Sequence, residues 1–411
     1  MRAPASGSDP SELFGLGVIE DPHPFFARLR RERPISRVGD TGVHLVSTWD
    51  LIDEALQREA DFSANLTGVL VRGEDGKPSI FDLSALGASH VIATADEPEH
   101  AVHRQIAQPR LAQKEIAPLE QLLRGWAREA LAPWVEAGGG DFAPISECVP
   151  ARAVAHILGL PQSDAQHFRR WAMMGGDILA GDVSHSGVVE LATETARMAE
   201  YLRMHLRGAM ASPRPDPGAP LLHALALAVL DGHIHEDHAV GIAIVMFGAG
   251  GESTAALIGS STRLLAQDPA LADTLRRNPD LIPHFVEETL RLEPPFKFHY
   301  RAVRRTCELG GAELKSGDRL MLLWASANRD PAAIENPDSL QLDRRHPKQH
   351  MGFGRGGHFC IGAPLARLEA RVMLEGLLAQ TRLVRLHAGA PPVHARSIFV
   401  RRLEQLPLDL T

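Results

Sequence analysis

The stretch FGRGGHFCIG, running from Phe353 to Gly362, places a single cysteine, Cys360, between glycines and just before a predicted helix. Residues 361–380 continue with leucines and a valine at helical spacing. A thiol at the start of a helix lies near the positive helix end and its free N–H groups, so we expect a lowered pKa and a favoured thiolate. A thiolate of this kind is a good ligand for a soft or borderline metal, and haem iron is the leading candidate.

The neighbours of Cys360 support this interpretation. Phe353 would shield the sulfur, and the glycines would let the backbone approach a large flat partner closely. The alternative is a buried structural cysteine in a glycine turn, which is the more common fate of a free cysteine taken alone. The coincidence of an aromatic residue, several glycines, a histidine and the cysteine favours the haem ligand.

The same segment resembles the haem-binding loop of the cytochrome P-450 family, in which Phe, Gly, Gly, His, Cys and Gly recur at this spacing. The resemblance implies a mainly α fold with small β-sheets (α+β), in which one prism-shaped domain holds haem between a long central helix and the helix after Cys360. It implies haem b (iron protoporphyrin IX) as cofactor, with the Cys360 thiolate as axial ligand. On this basis residues 21–411 form a single haem-binding monooxygenase domain, and residues 1–20 form a flexible N-terminal tail.

Composition restricts the function classes. With 44% apolar residues the 411-residue chain can bury a large core and a ligand cavity. The net charge of −8 argues against a nucleic-acid partner, which usually requires a basic face. Three widely spaced cysteines imply no disulfide framework, so a reducing cytoplasm fits. We expect no signal peptide and no apolar run of ~18 residues that spans a bilayer, as in soluble bacterial family members.

Most of the sequence has helical periodicity. Helices are predicted over residues 24–33, 49–58, 99–113, 118–137, 151–158, 163–179, 187–210, 221–230, 236–267 and 281–292. Residues 34–47 alternate as a hairpin, residues 301–323 read as strands, and the glycine-rich residues 65–90 read as a long irregular loop.

The longest predicted helix contains the run Ala249-Gly250-Gly251-Glu252-Ser253-Thr254. Adjacent glycines inside a helix cost roughly 1 kcal/mol each relative to alanine, so they need a reason, and room for a small ligand against the backbone is one. Glu252 supplies a titratable group, and the Ser253 hydroxyl can withdraw a carbonyl from the helix ladder. The run resembles the acid–alcohol pair of the family's oxygen-binding groove, which implies Glu252, Ser253 and Thr254 in proton delivery and Ala249 and Gly250 against the cofactor.

Glu288 and Arg291 lie three residues apart on one predicted helix face. Taken alone, such a pair is usually a surface ion pair of little energetic value. The pair resembles the family's buried Glu-x-x-Arg, which locks the core beside the haem with help from a later basic residue. Arg344 is our candidate for that third member.

The resemblance also assigns partners for the two haem propionates. His100 and Arg104 lie four residues apart on one helix, Arg301 matches a strand arginine, and His358 precedes Cys360 by two residues. Phe296, Lys297 and Phe298 follow Pro294-Pro295 at a turn that in the family points into the substrate pocket. The two phenylalanines suit an apolar substrate, whereas Lys297 either extends outward or pairs with a substrate carboxylate.

The expected activity is therefore that of a haem-thiolate monooxygenase, which inserts one oxygen atom from O2 into a hydrophobic terpenoid, steroid, polyketide or fatty-acid-like molecule. An external ferredoxin or flavodoxin with its reductase would supply electrons, docking near Arg104, Arg110 and Arg355. Two alternatives remain: a peroxide-driven enzyme on the same fold, which tends to carry Arg-Pro at the acid–alcohol pair, and a non-catalytic haem-binding or sensing protein.

Overall fold

Helices make up most of the computed structural model, which describes residues 9–83, 89–182, 185–216 and 218–410. Short 3₁₀ turns connect several of the α-helices. The α-helices are α1 (Leu16–Glu20), α2 (His23–Glu32), α3 (Trp49–Gln57), α4 (Glu99–Ala107), α5 (Gln113–Ile116), α6 (Glu120–Glu136), α7 (Ala143–Leu158), α8 (Ala165–Met173), α9 (His185–Ala211), α10 (Leu221–Leu230), α11 (Glu236–Gln267), α12 (Pro269–Arg277), α13 (Ile282–Leu292), α14 (Trp324–Ala327) and α15 (Ala363–Gln380).

The strands are short and form small sheets, so the α+β class expected from the sequence is confirmed. They are β1 (Ile35–Arg37), β2 (Val43–Val46), β3 (Phe62–Ser63), β4 (Gly68–Arg72), β5 (Pro78–Asp82), β6 (Gly139–Asp141), β7 (His299–Val303), β8 (Cys307–Leu309), β9 (Ala312–Leu314), β10 (Arg319–Leu322), β11 (Val384–Leu386), β12 (Val393–His394), β13 (Leu403–Gln405) and β14 (Pro407–Leu410).

The largest sheet has the order β1-β2-β10-β7-β3. The predicted hairpin is present, with Ile35 of β1 opposite Val46 of β2, and β2 then pairs in parallel with β10. The antiparallel pair β10–β7 places Leu322 opposite His299 and Leu320 opposite Arg301. This register places the His299 and Arg301 side chains on the same side of β7, where they line the cavity described below.

The central helix α11 has the bounds predicted from the sequence and packs against α7, α8, α9, α13 and α15. Its most apolar 18-residue window has a mean hydropathy of 1.5, so by length and composition this helix alone, among the described residues, would be able to cross a membrane. The expectation that no such run exists was therefore wrong. Since 61% of that window is buried inside the protein, α11 has the character of a core helix.

Two glycines of α11 are explained by helix packing. A Cβ on Gly248 would lie 2.6 Å from Gly175 Cα, and a Cβ on Gly251 would lie 2.3 Å from the Cβ of Ala172 in α8. Gly251 therefore provides the close approach of α8 to α11 rather than room for a ligand. Only Gly250 of the pair in the predicted groove faces the cavity described below.

A flexible tail was expected for residues 1–20, but residues 9–20 are folded onto the domain. Residues 1–8 lie outside the described part of the chain. A 3₁₀ turn at Pro10–Phe14 is capped by Asp9, which accepts from the Ser11 N–H, and α1 follows. Leu13, Phe14 and Ile19 are buried in the core. Apolar anchoring of this kind fixes a terminal segment that polar composition alone would leave free.

Two further expectations were wrong in part. Residues 68–82 form the β4–β5 hairpin within the expected loop 65–90, of which residues 84–88 lie outside the described structure. Helix α7 begins at Ala143, well before residue 151, and Pro150 lies inside it. The glycines and the turn at residues 73–77 interrupt the alternating pattern of the two strands. A proline such as Pro150 usually marks the end of a helix, so it hides the continuity of α7.

The packing of α8 on α11 gives a first prediction. Gly251→Ala should destabilise the protein by about 1–3 kcal/mol, because the new methyl group overlaps Ala172. Thermal unfolding of the haem-loaded protein measures this. Gly208→Ala in exposed α9, where a Cβ meets nothing within 4 Å, is the matched control and should be neutral or stabilising. Equal melting temperatures for the two variants would contradict the packing role of Gly251.

Candidate active site

The Cys360 loop is an ordered backbone structure that ends where α15 begins. The Cys360 N–H donates to the Phe353 carbonyl over 2.9 Å, and the Gly354 N–H donates to the Met351 carbonyl over 2.9 Å. Gly354 and Gly356 have φ values of +69° and +72°, in the left-handed region that glycine adopts without strain. The backbone N–H groups of Gly362 and Ala363 point at the Cys360 sulfur.

The lowered pKa expected for Cys360 was wrong. Burial raises the pKa of the Cys360 thiol, while the two N–H groups and the cations Arg367 and Arg104 act in the opposite direction. Desolvation outweighs these donors because a charged sulfur loses more hydration than they return. A coordinated metal ion supplies the missing stabilisation, since a thiol bound to a metal is deprotonated outright.

A second group of charged residues, missed in the sequence, holds the loop against α13 and α15. Glu287 accepts from Arg367 Nε over 2.5 Å and lies 2.9 Å from His350 Nε2. The Arg367 guanidinium in turn lies 4.6 Å from the ring centroid of Phe353. The sequence does show that Glu287 is a second carboxylate directly before Glu288, and this could have indicated its role. These contacts fix the orientation of the Phe353 ring beside α15.

A cavity of about 210 Å³ lies between α11 and the Cys360 loop. Of the three cysteines, all of which lie in the described structure, only Cys360 lines it. The wall is mostly apolar and comes from α11, the segment before α4, the turn between α13 and β7, the Cys360 loop and α15. Its apolar members include Ile92, Val245, Met246, Phe296, Phe353, Ile361 and Leu365.

One end of this cavity is lined by hydrogen-bond donors. His100 and His358 stack with ring centroids 3.9 Å apart, and His100 Nε2 and His358 Nδ1 are both buried without a hydrogen-bond partner among the described residues. Arg104 donates to the Phe359 carbonyl over 2.8 Å, and Arg301 is 7% exposed. Burial and the neighbouring Arg301 lower the pKa of His358 to about 3, and burial lowers that of Arg301 to about 10.

This donor set fits the two carboxylates of haem. Orphaned buried donors beside an arginine are costly unless an anionic acceptor meets them. A mostly apolar cavity that is lined by a thiol and by buried donors has the chemistry of a haem site. The structure thus brings together His100, Arg104, Arg301, His358 and Cys360, as the sequence predicted.

The α11 segment contributes a mixture of cavity-facing and hidden residues. Ala249, Gly250, Ser253 and Thr254 line the cavity, and Ser253 Oγ donates to the Ala249 carbonyl over 2.5 Å. The helix remains continuous at this point, so the serine satisfies the carbonyl without opening the helix. A hydroxyl group and a small-residue surface therefore face the space above Cys360.

Glu252 points away from the cavity, which the sequence did not predict. Its Oε2 accepts from the Gly176 N–H over 2.7 Å and its Oε1 accepts from Arg402 Nε over 3.2 Å. Burial raises the pKa of Glu252 to about 7, against the opposing effect of Arg402. Arg402 and Asp177 also line a second space, the outer cavity, between α8, the start of α9 and residues 395–404. Glu252 therefore stands between the two cavities.

Of the three residues of the predicted substrate turn, the structure places only Phe296 on the cavity wall. Phe296 lines the cavity and stacks on Phe399 with centroids 4.6 Å apart. Phe298 is fully buried on the opposite side of the strand, against Tyr300. Lys297 neither extends outward nor faces the cavity. It is buried, its Nζ donates to the Ser397 carbonyl over 2.7 Å, and burial lowers its pKa to about 7.

Comparison with known proteins agrees with this geometry. Residues 199–402 match the family model described as Cytochrome P450. Cytochrome P450 144 of Mycobacterium tuberculosis is 38% identical over 402 residues, which cover 97% of this chain and 91% of that protein. The chain belongs to the cytochrome P450 family. The erythromycin C-12 hydroxylase of Saccharopolyspora erythraea is 33% identical over 335 residues, covering 80% of this chain and 79% of that enzyme.

Solved structures of the family have the same fold. The crystal structure of CalO2 superposes on this P450 with a TM-score of 0.85 at 26% identity, covering 99% of both chains. The protein is accordingly a cytochrome P450 monooxygenase, and its cofactor is haem with a cysteine thiolate as axial ligand.

The buried ion triad of this P450 lies beside the Cys360 loop. Glu288 accepts from Arg291 through two hydrogen bonds of 2.8 and 2.9 Å, and from Arg344 Nε over 2.8 Å. The side chains of Glu288 and Arg291 are completely buried. The Gln341 N–H donates to the same carboxylate over 2.9 Å. Glu288 therefore connects α13 to the chain segment that leads into the loop.

Removal of this carboxylate gives a second prediction. Glu288→Ala leaves two buried arginines without their counter-ion, which costs about 3–5 kcal/mol. We expect poorly soluble protein with little haem, measured as the ratio of haem to polypeptide after purification. Glu313→Ala, at an exposed position on β9, is the control and should retain full haem content. Normal haem loading of Glu288→Ala would contradict the role of the triad.

Proposed function

We propose that this P450 inserts one oxygen atom from O2 into a bulky, hydrophobic, polyketide-like molecule. The observation that carries the proposal is the apolar cavity above Cys360, bounded by Ile92, Val245, Met246 and Phe296. Apolar surface of this kind selects ligands by shape and burial, with few polar groups to fix orientation. The related erythromycin C-12 hydroxylase supports the polyketide class over a terpenoid, steroid or fatty acid.

In this proposal Cys360 would supply the thiolate that binds the haem iron, and Phe353 would shield the sulfur. Arg104, Arg301, His100 and His358 would hold the two haem carboxylates. Bound haem supplies the O2 chemistry, and the thiolate donates electron density that favours O–O cleavage. Ala249 and Gly250 leave space beside the helix backbone for a small ligand, while Phe296 positions the substrate.

Glu252 and Ser253 act as the proton route, with Thr254 beside them. With a pKa of about 7, Glu252 exchanges protons readily at neutral pH, and its partner Arg402 lines the outer cavity. Delivery requires the Glu252 side chain to leave Gly176 and Arg402 and turn along α11 towards the Ser253 hydroxyl. Serine lacks the methyl group that restricts a threonine side chain, so its hydroxyl is less rigidly held.

An external ferredoxin or flavodoxin with its reductase supplies electrons, in a cytoplasmic setting. Of the three arginines considered for docking, Arg355 is tied to Asp53 by an ion pair of 2.6 Å, and Arg110 contacts the Asp216 carbonyl over 3.4 Å. Arg104 is engaged with Phe359. The arginines of the docking patch therefore already have contacts within the protein. Such charges increase the rate of association with a redox partner more than they increase the affinity.

Optical titration of the purified ferric protein against a panel of hydrophobic compounds tests this function. A saturable low-spin to high-spin shift with macrolide-type compounds, followed by a product heavier by one oxygen atom with ferredoxin and reductase, is the expected result. A shift confined to steroids, terpenoids or fatty acids would refute the polyketide class. Product formation with peroxide but never with reductase would refute the O2-dependent activity.

The position of Glu252 gives a third prediction. Because the protonated acid is the donor, the share of electrons that reach product should fall as pH rises through about 7. Glu252→Gln cannot titrate, so its coupling should be low and independent of pH over this range. Glu404→Gln removes a different carboxylate of the outer cavity and should keep the wild-type profile. A wild-type pH profile in Glu252→Gln would contradict the assignment.

A further inference from the structure

His299 was not predicted as a site residue, yet it lies on the cavity wall between the substrate side and the donor-rich end. Along β7 successive side chains alternate, so His299 and Arg301 face the cavity while Tyr300 faces the core. The His299 ring touches Phe296 and Phe399 edge-on at centroid distances of 5.7 and 5.6 Å. Its ring therefore has an apolar side and a side that faces Arg301.

Trp324 fixes the tautomer of His299. The indole N–H of Trp324 can only donate, and it lies 2.6 Å from His299 Nδ1. Nδ1 must therefore be the unprotonated nitrogen, and Nε2 carries the hydrogen. This contact follows from the register, because Leu322 pairs with His299 and the chain turns into α14 at Trp324.

The Nε2–H of His299 has no hydrogen-bond partner among the described residues. The ring remains neutral, since burial and the neighbouring Arg301 lower the pKa of His299 to about 3. His299 thus presents one fixed, neutral donor at the end of the cavity where the haem carboxylates belong.

We propose that His299 is a haem-positioning residue of this P450, whose Nε2–H donates to a haem carboxylate and whose orientation is fixed by Trp324. A neutral donor at this position strengthens the hold on the carboxylate without adding a further cation to a site that already contains Arg104 and Arg301. It also places the same residue against Phe296, which links haem position to the substrate wall.

Haem transfer from the ferric holoprotein to excess apomyoglobin tests the proposal. His299→Leu should release haem about tenfold faster, because a hydrogen bond to a charged acceptor is lost. Its ferric/ferrous midpoint potential should fall, because the carboxylate charge is then less compensated. His299→Gln returns an amide N–H near the Nε2 position and should restore most of the wild-type rate and potential.

Two further variants separate this role from its alternatives. Trp324→Phe retains an aromatic ring but removes the N–H that fixes the His299 tautomer. Its haem release rate should therefore lie between those of the wild type and His299→Leu. This variant also tests the proposal if His299→Leu does not bind haem. Phe399 also touches the His299 ring without a hydrogen bond and does not line the cavity, so Phe399→Leu should release haem at the wild-type rate. Wild-type haem release and potential in both His299→Leu and Trp324→Phe would overturn the proposal. Weakened substrate-induced spin shifts in those variants would then identify His299 as a substrate contact.

Discussion

The position of one sulfur atom, Cys360 Sγ, is the constraint on which the rest of the structure depends. The sulfur must face the cavity while remaining buried, next to the N–H groups of Gly362 and Ala363 at the start of α15. Two carboxylates of α13 stabilise this arrangement, because each holds a different segment next to the Cys360 loop. Glu287 holds α15 and Phe353 through Arg367, and Glu288 holds the incoming chain through Arg344. A shift of either would move the ligand relative to α11.

This P450 also contains buried ion pairs away from the haem site. Glu293, directly after α13, forms ion pairs with Arg263, Arg329 and Arg401, and Arg401 also contacts the Glu20 carbonyl. Lys297 lies close to this group and is held by Ser397. Such pairs specify geometry more than they stabilise, because desolvation offsets most of their attraction. Through Arg401 they also hold the end of α1, in addition to the apolar side chains that bury residues 9–20.

The sequence was most informative where chemistry and backbone geometry coincide. The Cys360 loop has glycines with positive φ, a helix start and a thiol within ten residues, so both fold and cofactor were predictable from it. The directions of side chains were not. Glu252 and Lys297 point away from the cavity because α8 and residues 395–402 pack against them, and these contacts are distant in sequence. His299 was missed because its role depends on pairing with β10 and on Trp324.

Cysteine substitution tests the central claim most directly, because the chain contains only Cys148, Cys307 and Cys360. Each is replaced by serine, and the carbon monoxide complex of the reduced protein is examined for the thiolate-type spectrum. Cys360→Ser alone should lose this spectrum, since Cys148 and Cys307 lie away from the cavity. A thiolate-type spectrum that persists in Cys360→Ser, or disappears in either of the other two variants, would contradict the role of Cys360 as the haem ligand.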